Sequence, residues 1–308
     1  SPPPPHVLES GELNIITPER RFRHKLRAIT LRDSIETINE IDALRKLVRR
    51  NMHRFDLINA HNFPSTWSFF PDHKPSVWLL NEPIGLWHNV NPSIGSRILK
   101  EVEVTLDRFV VNRYIDVICV ADELNAKRCQ AMYGRQAEVF PYGIEYDVFS
   151  KGDEQSARQE LDLEGSFVLI HVGQITPSKN QFASVKAVEK LKEHIPNIKL
   201  ILAGLGDHPY VDILSEYIRE RKIDHHIIFT GHVPKQMLSD LYGASDIAVF
   251  PIESQGGYLS PFEALSSSKP IIVSTRISIA DVIRREAIGT VTDDLAGSVL
   301  DIYNHPGP

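Results

Sequence analysis

Apolar residues along the chain fall into two spacings that alternate. Ile35, Ile38, Ile41, Leu44, Leu47 and Val48 recur at intervals that predict a helix over 33–50. Phe55 to Ala60 and Ser76 to Leu80 are short apolar runs that read as buried strands, ending at His61-Asn62-Phe63-Pro64 and Asn81-Glu82-Pro83. A helix over 94–110, a strand over 115–120, a helix over 122–132 and a short strand over 138–140 follow, and Leu13 to Thr17 reads as a further short strand. The second half repeats the alternation, with strands over 167–172, 199–203, 227–230 and 246–250, one opened by Pro270, and one over 288–291. Between them lie a helix marked by Phe182, Val185, Val188, Leu191 and Ile195, a helix over 211–221, one through Tyr242, one from about Ser260, and one over 279–286. Strands that alternate with helices pair in parallel and are covered on both faces. The expected class is α/β, with two Rossmann-like domains over 1–141 and 166–308 and the polar, turn-rich stretch 142–165 as linker.

Composition narrows this picture without changing it. With 308 residues, 42% hydrophobic and 24% charged, the chain is long enough for two cores. No apolar run approaches the length needed to cross a bilayer and no secretory signal is visible, so the expected compartment is the cytoplasm. Cys119 and Cys129 make neither a disulfide framework nor a zinc site, and a formal charge of −6 argues against nucleic-acid binding. Ser1 to His6 is proline-rich. Arg20, Arg21, Arg23, Lys25 and Arg27 surround Phe22 and Leu26, a pattern of either a solvated face or a peripheral contact with an anionic membrane.

Residues 249–274 concentrate the candidate chemistry. A strand ends at Pro251, a loop carries Gly256 and Gly257, and a helix starts near Ser260. Paired glycines let backbone approach a ligand closely, and the unpaired amides of the following helix favour an anion. The same residues have a structural reading, in which Ser260, Pro261 and Glu263 form a capping box. Lys179 stands six residues after Gly173, beyond a strand and just ahead of a helix, where a cation reaches a bound phosphate or simply faces solvent. Gly204 and Gly206 fit a close backbone turn, His171 reads as a satisfied core histidine, and in open parallel sheets such loops gather ligands at the carboxyl ends of strands.

The stretch Glu263-Ala264-Leu265 with Lys269-Pro270-Ile271-Ile272 resembles the donor-site signature of the family four retaining glycosyltransferases, or glycosyl transferases group 1. Pro141-Tyr142-Gly143-Ile144-Glu145 with Phe149 also resembles that family's junction between domains. The resemblance spans about residues 55–300 and implies the GT-B fold, two Rossmann-like domains facing each other across a cleft. It implies that Glu263 binds the ribose of a nucleoside diphosphate sugar and that the amides of Gly256, Gly257, Tyr258 and Leu259 meet the diphosphate. Lys179, Gly173 and Gln174 would complete the donor side, and His232 would line the base pocket. The sequence departs from the family at Gln255, where a glutamate contacts the transferred sugar, at Gln174, where an arginine stands, and at Asn81, where a histidine is common. Glu253 could substitute for the first of these, and Glu82 or His61, with Asn62, would face the acceptor.

The activity implied is retaining transfer of a sugar to a hydroxyl acceptor, without a cofactor or metal. The absence of any Asp-x-Asp motif accords with that. Three substitutions at family positions also suit a nucleotide-sugar-binding protein with impaired turnover, and a sugar-nucleotide epimerase shares the same plan. The first half is short for the family and Pro308 precedes the family's long closing helix, so the expectation is a fragment or a compact variant.

Overall fold

A computed structural model describes residues 31–69, 74–81, 94–206, 208–253 and 259–306. The chain divides after Phe140 into two compact units.

The first unit contains helix α1 (Leu31–Asn51) and strands β1 (Ile58–His61) and β2 (Ser76–Leu80). Helix α2 (Ile94–Tyr114), strand β3 (Val117–Val120), helix α3 (Glu123–Tyr133) and strand β4 (Glu138–Val139) come next. The four strands lie in the order β1-β2-β3-β4, every pair parallel. Trp78, Leu80, Ile118 and Val120 are buried in the sheet against Val111 and Tyr133 of the helices. Helix α3 shows why its ends fall where they do. Asp122 accepts from the Asn125 N–H at 2.8 Å, and Gly134, at φ 69°, closes the other end in the left-handed conformation. Asp107, fully buried on α2, accepts from Trp67 Nε1 at 2.8 Å and from the Tyr133 hydroxyl at 2.7 Å, pinning the helices together.

The second unit begins with two short helices, α4 (Tyr146–Phe149) and α5 (Glu154–Glu160). The stretch expected to be a linker is therefore packed structure. Phe149 is buried with its ring 5.9 Å from that of Tyr242, Ser239 Oγ donates to Val148 O at 2.8 Å, and Arg158 pairs with Asp246 at 3.2 Å. Scattered buried residues, Phe149, Ala157 and Leu163, and polar contacts hold the segment, so it carries no apolar periodicity to read.

The unit continues with β5 (Phe167–Val172), α6 (Gln181–Leu191), β6 (Ile198–Ala203), α7 (His208–Glu220), β7 (Ile227–Gly231) and α8 (Lys235–Ala244). It then runs through β8 (Ile247–Phe250), α9 (Leu259–Ser266), β9 (Ile271–Val273), α10 (Ala280–Glu286), β10 (Thr290–Val291) and α11 (Leu295–Asn304). Its sheet order is β10-β9-β8-β5-β6-β7, with all pairs parallel. Counted from β5 as the first strand, that order is 6-5-4-1-2-3, the doubly wound Rossmann arrangement. Leu169, Leu200, Leu202, Ile247 and Val249 are fully buried in this sheet, covered by Val185 and Val188 of α6 and Leu214 of α7. Ile195, expected inside α6, lies after it, still fully buried, in the turn that feeds β6.

Among the described residues no helix is long and apolar enough to cross a membrane. The basic cluster Arg20, Arg21, Arg23, Lys25 and Arg27, and the strand expected over 13–17, lie outside the described residues.

Candidate donor-binding site

The strand order fixes where a ligand can be received. The winding of the chain reverses between β5 and β8, and a crevice opens at the carboxyl ends of the two strands at such a switch point. The loops that leave β5 and β8 therefore decide the chemistry.

The floor of this end of the sheet is built of backbone. Gly173 N donates to Ala203 O at 2.9 Å, and Gly204 N to Gly231 O at 2.9 Å. Gly204, at φ 154°, sits so close to its neighbour that a Cβ there would run into the Gly173 carbonyl. Glycine is required by both conformation and space. At Gly206 a Cβ would meet a methyl of the Val211 side chain.

The loop after β5 is held from beneath. Gln181, fully buried at the start of α6, accepts from Thr176 N at 3.2 Å and donates to Gln174 O at 3.0 Å. Asn180 adopts the left-handed conformation at φ 57°, and its Oδ1 caps α6 by accepting from Ala183 N at 3.3 Å. The Lys179 stem lies over Gly173, its Cδ 3.8 Å from where a Cβ on that glycine would stand. Gln174 is exposed at the loop surface.

His171 lies on β5, below that loop. Its Nδ1 meets Ser184 Oγ at 2.9 Å, but Nε2 has no partner among the described residues. Burial, and secondarily the Lys179 charge, push its pKa down to about 3, so the ring is neutral at physiological pH. It is a core histidine with one nitrogen satisfied and one not.

The loop after β8 is stitched to the first. Glu253 N donates to Ser178 O at 3.1 Å, and the Glu253 carboxylate accepts from Asn180 Nδ2 at 2.9 Å and pairs with Arg276. Glu253 thus joins three loops. Gln255, Gly256, Gly257 and Tyr258 lie outside the described residues, as does Glu82.

Leu259 opens α9 and is exposed. Ser260 falls within the helix rather than at its cap, and no capping box forms between Ser260 and Glu263. The Glu263 carboxylate instead accepts from the Tyr242 hydroxyl at 3.2 Å and is half-buried. Burial raises its pKa, opposed by the Tyr242 hydrogen bond and the Lys235 charge, with Glu145 raising it further. A half-buried carboxylate with a raised pKa at such a place marks a candidate binding group. His232 is exposed just past β7.

On the first unit, Asn62 and Asn81 come together at the ends of β1 and β2. Asn62, at φ 56°, accepts the Asn81 N–H on its Oδ1 at 3.0 Å, so its side chain fastens the two strand ends. His61 is exposed beside them.

Sequence reasoning did not find Gln181, Asn180 and Tyr242. Asn180 carries a usable signal, a cap residue directly before an apolar helix. Gln181 and Tyr242 carry none, since each sits at an ordinary helical position. Among the described residues no three His, Cys, Asp or Glu side chains gather as a metal set would.

A doubly wound α/β unit with glycines at the carboxyl ends of β5, β6 and β7 is the class that fold and site define. Residues 153–296 match the family of glycosyl transferases group 1. The matched residues all lie within the second unit. The D-inositol 3-phosphate glycosyltransferase of Kribbella flavida is 26% identical over 236 residues, 70% of this chain and 53% of that protein. The GDP-mannose-dependent alpha-(1-6)-phosphatidylinositol monomannoside mannosyltransferase of Mycolicibacterium smegmatis is 22% identical over 211 residues, 65% of this chain and 54% of that protein. The chain spans about half the length of these curated relatives. Anabaena Alr3699/HepE, solved with UDP and glucose, superimposes with a TM-score of 0.74 at 18% identity, covering 86% of this chain and 72% of that one. Sucrose-phosphate synthase from Thermosynechococcus elongatus gives 0.74 at 18% identity, covering 92% of this chain and 73% of its own. These likenesses show the GT-B fold.

Proposed function

We propose that this chain transfers a sugar from a nucleoside diphosphate to a hydroxyl acceptor with retention of configuration. The observation that carries the reading is that the loops leaving β5 and β8, the two strands at the switch point of the second unit, are joined there, with Glu253 N donating to Ser178 O at 3.1 Å. The diphosphate would lie over the Gly173 end of β5, held by Lys179 and by amides of Gly256, Gly257, Tyr258 and Leu259. The Glu263 carboxylate would accept from the ribose hydroxyls, with His232 and Gln174 at the donor's edge. A nucleoside diphosphate donor also suits HepE, whose solved complexes contain UDP and UDP-glucose.

In the reaction, the bond between the sugar's anomeric carbon and the phosphate oxygen breaks, and the electron pair leaves with the nucleoside diphosphate. Lys179 steadies that developing charge. The acceptor oxygen bonds to the same face of the sugar and its proton passes to the departing phosphate, so no separate base, cofactor or metal is required. Gln255 would position the sugar as a neutral amide, and Asn81, Glu82, His61 and Asn62 would belong to the acceptor side. The acceptor is a hydroxyl compound, and contact with a membrane through Arg20, Arg21, Arg23, Lys25 and Arg27 would suit a lipid-linked one.

Donor hydrolysis and transfer, measured beside donor binding, test this reading. Turnover on a hydroxyl acceptor with retained configuration supports it. Binding without turnover on any acceptor would point to a binding protein, and conversion of donor alone to an epimerase.

A further inference from the structure

Glu263 does not stand alone in its half-buried position. Tyr242, on α8, is fully buried, and its hydroxyl lies 3.2 Å from Glu263 Oε2 and 3.1 Å from Ser260 O. A phenol has one hydrogen, so it is shared between the carboxylate and a first-turn carbonyl of the helix that carries it. The ring is fixed from the other side by Phe149, 5.9 Å away and edge-on. α8 is further tied to α4 by Ser239 Oγ, which donates to Val148 O at 2.8 Å. The hydroxyl therefore has one position, set by packing, and the carboxylate is the movable partner.

We propose that Tyr242 is a positioning residue for donor binding: its hydroxyl holds Glu263 in the rotamer and the ionised state that receive the ribose. This deepens the donor-site reading and rests on it. A carboxylate engaged through Oε2 keeps Oε1 for a ligand, whereas an unrestrained side chain would have to be ordered on binding, at a cost in affinity. The other charged groups around Glu263 are Lys235, at the start of α8, and Glu145, ahead of α4, which pair with each other at 2.5 Å. The two act on Glu263 in opposite directions, and the phenol is the one direct donor to its carboxylate among the described residues.

The test uses the full chain, with UDP, GDP, ADP and CDP as probes and calorimetric affinity of the tightest binder between pH 5 and 8. Tyr242→Phe keeps the ring against Phe149 and is expected to weaken binding about 3- to 10-fold, the worth of one hydrogen bond. The acid limb of the affinity profile should also move to higher pH, because the carboxyl loses a donor that favours its charged form. Glu263→Ala should be weaker still, and adding Tyr242→Phe to it should cost nothing more, since the phenol acts only through the carboxylate. Should the Phe variant not fold, 3-fluorotyrosine at 242 keeps the packing and donates more strongly, and it should move the acid limb to lower pH. Wild-type affinity in Tyr242→Phe, losses that add in the double variant, or an unmoved acid limb would overturn the proposal while leaving the donor site intact. Unchanged affinity in Glu263→Ala, or no binding of any probe, would overturn the donor-site reading and this proposal with it.

Discussion

Replacing Glu263 by Gln separates what this side chain does for binding from what it costs the fold. The carboxylate is half-buried, accepts from Tyr242 at 3.2 Å, and has its pKa raised above the usual carboxylate value, chiefly by burial. A folded pKa above the unfolded one means stability that is fully present below about pH 4.5 and is lost as pH rises through the folded value. At neutral pH the ligand-free protein therefore carries a buried charge against its own stability. Gln keeps a carbonyl acceptor for the phenol and removes the charge. Relief of strain of this kind is typically worth about 0.5–2 kcal/mol, and 1 kcal/mol moves the melting temperature of a unit of this size by about 2–4 °C. Glu263→Gln should melt a few degrees higher than the wild type at pH 7, and the gap should close as the pH falls toward 4.5. Nucleoside diphosphate binding should weaken by about 1.5–3 kcal/mol, the worth of a charge-assisted hydrogen bond, or roughly 10- to 150-fold. Scanning calorimetry across pH, paired with titration of the ligand, reads both. A variant that melts lower at pH 7 and binds as well as the wild type would show Glu263 to be a structural residue and refute the reasoning.

Other predictions concern the framework. Asp107→Ala strands the Trp67 and Tyr133 donors in the first core and should destabilise that unit by about 2–4 kcal/mol in denaturant melts. Asp107→Asn, which keeps one acceptor, should cost less. Gly204→Ala drives a methyl into the Gly173 carbonyl and should either lower the melting temperature or abolish nucleoside diphosphate binding, read by calorimetry with and without ligand. Gln181→Leu removes the two bonds by which that side chain holds the Lys179 loop, so it should weaken diphosphate binding as well as stability, in contrast to a core substitution distant from that loop.

Much of the fold is legible in the chain because buried parallel strands leave unbroken apolar runs. Phe167 to Val172 and Ser76 to Leu80 are found with the observed bounds, and the Rossmann alternation follows from them. Strand order is not legible. The position of β5 beside β8 is set by which faces bury one another, and periodicity does not encode it. Helices α4 and α5 escape notice because each buries a single apolar residue, Phe149 and Ala157, and α11 because its buried residues, Leu295 and Val299, make only one short stripe. At the site, glycines and Lys179 announce themselves through type and spacing. Glu263 is ambiguous, since a carboxylate three residues after Ser260 looks like part of a capping box until its partner, Tyr242, is seen. Glu253 shows the reverse: it reads as a free acid in the sequence, yet Asn180 and Arg276 come to it from distant loops.

The central claim is that a diphosphate is received where β5 and β8 end and that Lys179 meets it. Titration of the wild type and Lys179→Ala with the tightest-binding nucleoside diphosphate tests it most directly. The account predicts an affinity lower by about 1.5–3 kcal/mol in the variant, with the fold intact by melting. Equal affinity in the two proteins would contradict it.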